Sequence, residues 1–190
     1  MKAFCVNGSP REKGNTRIML DKITKIFNSE GIDTEIYQIG GKLVHGCVGC
    51  LSCRMNHSLE CVFNDEVNTC IEKMINADII IIGTPVYFSG VTPEIKALID
   101  RSGYVTRGNG NLLKGKIGAA VAAVRRAGAI PALDTIHHFF LVNEMIIPGS
   151  SYWNLCIGRN PGEILHDDEG MTTIKNLAKN TAYLAKKLFV

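Results

Sequence analysis

Asn7 Gly8 Ser9 Pro10 Arg11 Glu12 Lys13 Gly14 Asn15 Thr16 is the stretch that decides how this chain folds. It follows an apolar run at residues 2–6, which reads as a short buried strand. It precedes a segment with apolar residues at Ile18, Leu20, Ile23, Ile26 and Phe27, a helical spacing. Asn15 and Thr16 fall where a helix N-cap belongs. A helix beginning there has unpaired first-turn N–H groups at the positive end of its dipole. Ser9, Asn15 and Thr16 can donate around an anion, Gly14 keeps the loop tight and Arg11 adds charge. These features suit a phosphate. They also suit an ordinary strand–helix turn, because Gly, Ser, Pro and Asn are turn formers. The loop is not a Walker A sequence, since no Lys–Ser/Thr follows the glycines, and G-x-G-x-x-G is absent. The expected anion is therefore a terminal monophosphate rather than a pyrophosphate.

The 190 residues are 46% hydrophobic and 21% charged, which fits one globular domain, residues 1–190, with a sizeable core. A net charge of +3 without a Lys/Arg run argues against nucleic acid. The apolar run at residues 79–82 is far too short to span a bilayer, and the N-terminus enters a strand rather than a signal peptide. A cytoplasmic protein with no membrane partner is expected. Seven cysteines in that compartment read as metal ligands or redox thiols rather than a disulfide framework.

Along the chain, residues 33–39 alternate like an outer strand, and residues 40–63 form a loop holding four cysteines. Asp65 is placed to cap a helix through residue 77 with Val67, Cys70, Ile71, Met74 and Ile75 inward. Residues 78–83 are apolar without alternation, as buried parallel strands are. Residues 84–92 are a loop, and Pro93 sits at the first position of a helix ending near residue 100. Residues 101–115 read as a polar surface excursion. A small-residue strand covers 116–124, a helix 130–141, a last strand 144–147, an irregular segment 149–170 and a closing amphipathic helix 171–189. Strands alternating with helices predict an α/β fold, a parallel sheet covered on both faces with right-handed crossovers. Ligands of such sheets sit beyond the carboxyl ends of the strands.

Two further loops are expected at that end. Pro85, Val86, Tyr87, Phe88, Ser89 and Gly90 combine apolar surface with backbone N–H and C=O groups, which a flat aromatic ligand needs. Arg125 and Arg126 could face the carbonyl edge of such a ligand, and Gly128 permits close backbone approach. Taken singly, Tyr87 and Phe88 would read as core or interface aromatics, and the arginines as solvated.

Three motifs in this order resemble the NADPH-dependent FMN reductase-like flavoproteins: G-S-P-R-E-K-G-N-T at 8–16, T-P-V-Y-F-S-G-V-T-P-E-I-K-A-L-I-D-R at 84–101 and R-R-A-G at 125–128. The tail D-D-E-G-M-T-T-I at 167–174 extends the likeness over most of the chain. The cysteine loop draws it toward the iron–sulfur flavoproteins. The resemblance implies a flavodoxin-like three-layer sandwich with a five-stranded parallel sheet in the order 2-1-3-4-5 and the cysteine loop after the second strand. It also implies FMN, held at its phosphate by Ser9, Arg11, Asn15 and Thr16 and at its isoalloxazine ring by residues 85–90. Homodimers or homotetramers are common in the family. The usual glycine pair after the arginines is here Ala127 and Gly128.

Cys47, Cys50, Cys53 and Cys61 form C-x2-C-x2-C-x7-C. Three thiolates at two-residue spacing can wrap one face of a cubane, and a fourth completes a [4Fe–4S] cluster. Zinc is the runner-up, although structural zinc sites usually use two separated cysteine pairs. Free thiols are the third reading. His45 and His57 lack ligand spacing, Cys5 and Cys70 read as core, and Tyr152 and Trp153 as packing.

The expected activity is that of an FMN-dependent oxidoreductase or electron-transfer flavoprotein. It would exchange electrons between FMN, the cluster and a quinone, small redox protein or other small acceptor. No pyridine-nucleotide fingerprint is present; the resemblance implies NAD(P)H as donor or, as in the family's iron–sulfur members, ferredoxin. The alternative is a non-catalytic FMN- or metal-binding redox sensor. A hydrolase is disfavoured, because no nucleophile–base pair is visible.

Overall fold

The computed structural model describes residues 1–189. Its elements are β1 (Lys2–Asn7), α1 (Asn15–Ser29), β2 (Asp33–Gln38), α2 (Ser52–Met55), α3 (Glu66–Asn76), β3 (Ile79–Pro85), α4 (Pro93–Gly108), β4 (Ile117–Val124), α5 (Ala129–Val142), β5 (Leu155–Ile157) and α6 (Asp168–Leu188). The sheet has the order β2-β1-β3-β4-β5, and every pairing is parallel. This is the expected flavodoxin-like order.

Both faces of the sheet are covered, so the central strands need no polar alternation. Phe4, Val6, Ile80, Ile82, Ala120 and Ala122 pack on one side with α3, α4 and α5. Ala3, Cys5, Ile79, Ile81, Ala119 and Val121 pack on the other with α1 and α6. The small side chains of β4 let the covering helices approach. A Cβ on Gly118 would stand 2.7 Å from the Phe140 ring. Asp65 caps α3, accepting from Val67 N at 3.0 Å, and Pro93 opens α4, as the sequence predicts. No helix among the described residues is long and apolar enough to cross a membrane.

Two expectations are corrected. The last strand is not residues 144–147 but Leu155–Ile157. Ile146 makes only an isolated bridge with Ile117 at the start of β4, its N–H donating to Lys116 O and its carbonyl accepting from Gly118 N, each at 2.9 Å. Pro148 has no N–H to continue the ladder, and the chain rejoins β4 only where Asn154 O accepts from Ala122 N. The edge is thus one strand split in two, with Tyr152 and Trp153 on the exposed excursion between. The second correction is α4, which runs to Gly108 rather than stopping at 100. Leu98, Ser102, Val105 and Thr106 carry its buried face onward, and Arg101 lies inside, 1% exposed.

Candidate functional site

The loop after β1 is held from below and beside. Gly8 N donates to Gly83 O at 2.8 Å, and Thr92 Oγ1 donates to Gly8 O at 3.0 Å. Gln38 Nε2 donates to Ser9 O at 2.7 Å and Gly40 O at 2.6 Å, and Asn7 Nδ2 donates to Gln38 Oε1 at 2.6 Å. The backbone of Ser9 presses on Gly40, where a Cβ would meet Ser9 C at 2.3 Å. Ser9 is buried, and its hydroxyl accepts from Arg11 N at 3.2 Å, while Arg11 itself is exposed.

Helix α1 begins at Asn15 behind a glycine N-cap, Gly14, so no side chain caps its first-turn N–H groups. Thr16 is 1% exposed and its Oγ1 has no hydrogen-bond partner. Its methyl lies against Gly83, where a Cβ would stand 2.9 Å away. A buried hydroxyl without a partner costs about 1–3 kcal/mol, which an acceptor in the loop would offset. The sequence places Asn15 as a cap and an anion donor, but the structure uses its carboxamide elsewhere. Asn15 Nδ2 donates to Gly158 O and Asn160 O at 3.2 and 3.0 Å, and its Oδ1 accepts from Gly162 N at 2.8 Å. Only its backbone N–H is left to face an anion.

The loop after β3 closes as a tight hairpin. Tyr87 N donates to Gly90 O and Gly90 N to Tyr87 O, both at 2.9 Å. Phe88 and Ser89 occupy the turn with φ of 48° and 60°, the left-handed pair of a type I′ turn that Asn and Gly usually fill. An aromatic residue held there is strained, and Phe88 is fully exposed. Val86 N donates to Ala123 O at 3.0 Å, tying the loop to β4, and Thr92 N donates to Thr84 Oγ1 at 3.3 Å. Gly128, with φ +87°, lies so close that a Cβ on it would meet Ser89 Oγ at 2.7 Å. The structure therefore brings Pro85, Val86, Tyr87, Phe88, Ser89, Gly90 and Gly128 together at the carboxyl end of the sheet. Arg125 and Arg126 are exposed and line an open cleft of about 500 Å³ with Arg159 and His166.

The cysteine loop contains the four-residue helix α2, entered through Leu51 at φ 57°. Cys53 is buried, Cys47 and Cys61 are half-buried and Cys50 is exposed, and all four line one small cavity with Phe63, Arg101 and Tyr104. Burial raises the Cys53 thiol above its usual value, with Cys61 and Cys50 adding to the shift. Among the described residues no three His, Cys, Asp or Glu side chains converge on a single ion position. A cubane takes its thiolates spread around a cage, one per iron, whereas zinc needs each sulfur about 2.3 Å from one point. All four donors are thiols, which both kinds of site accept.

The chain is 37% identical to an iron–sulfur flavoprotein of Methanocaldococcus jannaschii, with 98% of each chain covered. It is 33% identical to an iron–sulfur flavoprotein of Methanosarcina thermophila, covering 94% of this chain and 92% of that one. Residues 1–159 match the model of the NADPH-dependent FMN reductase family. The chain belongs to that family. Among solved structures, RosB with a bound riboflavin-5′-phosphate derivative superposes with a TM-score of 0.75 at 22% identity. That match covers 99% of this chain and 80% of RosB, and it shows the shared fold.

Sequence reading misses the residues that hold the family's loops in place. Asn68 brackets Cys61, its Oδ1 accepting from Cys61 N and its Nδ2 donating to Cys61 O, both at 2.9 Å. Asn109 Nδ2 donates to Ser58 O at 2.9 Å and reaches Cys53 O at 3.4 Å. Arg101 clamps the loop's exit: one terminal nitrogen donates to Asp65 at 2.6 and 2.7 Å and to His45 O at 3.1 Å, the other to Phe63 O at 2.7 Å. Burial pushes the Asp65 carboxyl up, but hydrogen bonds from Arg101 and from His45 and Val67 N–H outweigh it and hold it below its usual value. The one signal in the sequence is the helical spacing of Ile95, Leu98, Ser102 and Val105, which carries Arg101 into the helix.

Proposed function

We propose that this protein is an FMN-dependent oxidoreductase that moves electrons between FMN, a [4Fe–4S] cluster in the cysteine loop and a small acceptor. The observation that carries the reading is Thr16, a buried hydroxyl without a partner in the first turn of an uncapped helix. A terminal phosphate meets that demand, with Ser9, Arg11 and Gly14 around it and the Asn15 N–H beside it. The family's description supports FMN, and the relatives' names support both a flavin and an iron–sulfur cluster.

Bound FMN would supply hydride and one-electron chemistry, and a cluster would supply one-electron transfer. The chain's own part is to bind, orient and shield. Residues 85–90 present a stiff turn of backbone donors and acceptors for the ring, kept in position by Gly128. Arg125 and Arg126 offer positive charge near it. Cys47, Cys50, Cys53 and Cys61 would hold the cluster. NAD(P)H or a small redox protein is the donor in this reading, with a quinone or similar molecule as acceptor. Assembly as a homodimer or homotetramer would cover Phe88, Tyr87 and Trp153, whose exposed rings call for a partner surface. A cytoplasmic setting suits seven cysteines that are all free.

Replacing Arg11 and Thr16 together by Ala is expected to strip flavin on gel filtration, and undiminished retention would contradict the placement. Cys50→Ser is expected to remove brown absorbance while leaving the yellow, and an unchanged spectrum would contradict the cluster.

A further inference from the structure

Among the described residues Arg101 is the largest fully buried side chain, and it contributes to the wall of the four-cysteine cavity. Its two terminal nitrogens are engaged by Asp65, His45 O and Phe63 O, yet its Nε is buried and has no partner. A guanidinium presents its five N–H groups in a fixed fork, so the Nε–H cannot turn to find an acceptor elsewhere. Leaving a charged donor buried and unpaired costs more than leaving a neutral one so. The surrounding contacts fix the fork. Phe63 stacks on His45 at 3.9 Å between centroids and lies under the guanidinium carbon, 5.7 Å from its own centroid.

We propose that Arg101 Nε–H is a second-layer donor to the sulfurs of the cysteine-held cluster and sets its reduction potential. This inference rests on the cluster reading above. Four thiolates make a cluster anionic, and reduction adds a further negative charge, so a fixed N–H donor favours the reduced form. Asp65 neutralises the formal charge of Arg101 on the far side of the fork. The influence on the cluster is therefore that of a directed N–H dipole rather than of a net positive charge. Arg101 is a positioning residue in this account: it binds no iron, and it acts through the sulfurs.

The test compares the anaerobically reconstituted wild type with Arg101→Lys, which keeps the charge for Asp65 and removes the Nε donor. Iron and sulfide contents are measured first, then the cluster is titrated by electron paramagnetic resonance. Iron content is matched between the two samples before the midpoints are compared, because changes behind the ligands weaken metal binding. At the wild-type midpoint, the reduced-to-oxidised ratio in Arg101→Lys is expected to fall about tenfold, which is about 59 mV for one electron. A role that is only structural would lower the melting temperature and leave the midpoint where it was, which overturns the proposal with the cluster reading intact. A wild type that takes up no iron overturns both. A second measurement needs no variant: arginine labelled with ¹⁵N in the wild type is expected to show a nitrogen coupling to the reduced cluster in pulsed resonance, and its absence overturns the proposal.

Discussion

Asn15 and Gly158 stand 143 positions apart and are joined by a 3.2 Å hydrogen bond from the Asn15 carboxamide to the Gly158 carbonyl. The same side chain holds Asn160 O and Gly162 N, so the start of α1 is fastened to the segment leaving β5. Asn15→Ala is expected to destabilise the protein by about 1–3 kcal/mol, because it leaves backbone groups unpaired at a partly buried site. Urea denaturation checks this, and an unchanged midpoint would contradict the fastening role.

Thr16→Val separates cofactor binding from folding. Valine keeps the shape and removes a hydroxyl that has no partner in the protein. The flavin-free protein is expected to be as stable as wild type, while FMN binds about tenfold more weakly, about 1.4 kcal/mol. Flavin fluorescence titration and a thermal melt together decide it. Equal affinity with equal stability would mean that Thr16 faces no phosphate.

Gly128→Ala should be felt across two loops. The new methyl meets Ser89 Oγ at 2.7 Å and Cα at 3.1 Å, and alanine is disfavoured at φ +87°. A loss of roughly 1–3 kcal/mol in stability is expected, with weaker flavin binding, since the strained Phe88–Ser89 turn must move. Calorimetry of the variant against wild type measures the first. A thermal profile identical to wild type would show the loops to be less closely packed.

How much of this was legible beforehand follows from the range of each signal. The isoleucines at 79–82 and the Gly-rich loop after β1 carry their meaning locally, and they predict the sheet and the strand–loop–helix unit. Cys70 and Asp65 likewise show their roles in the helical pattern around them. Arg101 does not, because what makes it an interior residue is Asp65, 36 positions away. Read alone, an arginine followed by glycines at 103 and 108 looks like the end of a helix. The split edge strand misleads for a similar reason: residues 144–147 have strand composition, and only Pro148 and the position of β4 decide that pairing resumes at 155. Asn15 has a capping residue's identity in a capping residue's place, and tertiary partners from the 158–162 segment take its side chain.

Alkaline pH is expected to weaken the fold through its buried thiols. Burial pushes Cys5 and Cys156 up from 9.0 to about 12, with Asp167 adding to Cys156, and raises Cys70 as well. A raised folded value means the native state keeps its proton longer than the unfolded chain. The associated stability is complete below about pH 9 and declines as pH climbs from there toward 12, by up to about 1.4 kcal/mol per unit per thiol. Denaturation midpoints measured from pH 7 to 10.5 should be level and then fall. A midpoint that rises through that window would contradict the burial of these groups.

Asn68→Ala removes the bracket around Cys61 without touching a cysteine. Iron retained after anaerobic desalting is expected to drop several-fold relative to wild type while FMN content holds, in line with the 10–100-fold losses that outer-shell changes cause. Equal iron in both proteins would remove Asn68 from the account.

The central claim is that one chain holds a flavin at the β1 loop and an iron–sulfur cluster at residues 47–61. An ultraviolet–visible spectrum of protein purified without oxygen addresses both at once. Flavin bands over a broad shoulder that dithionite bleaches, with four irons per chain, are the predicted result. A protein that, supplied with both, fails to retain FMN or fails to take up iron would contradict it.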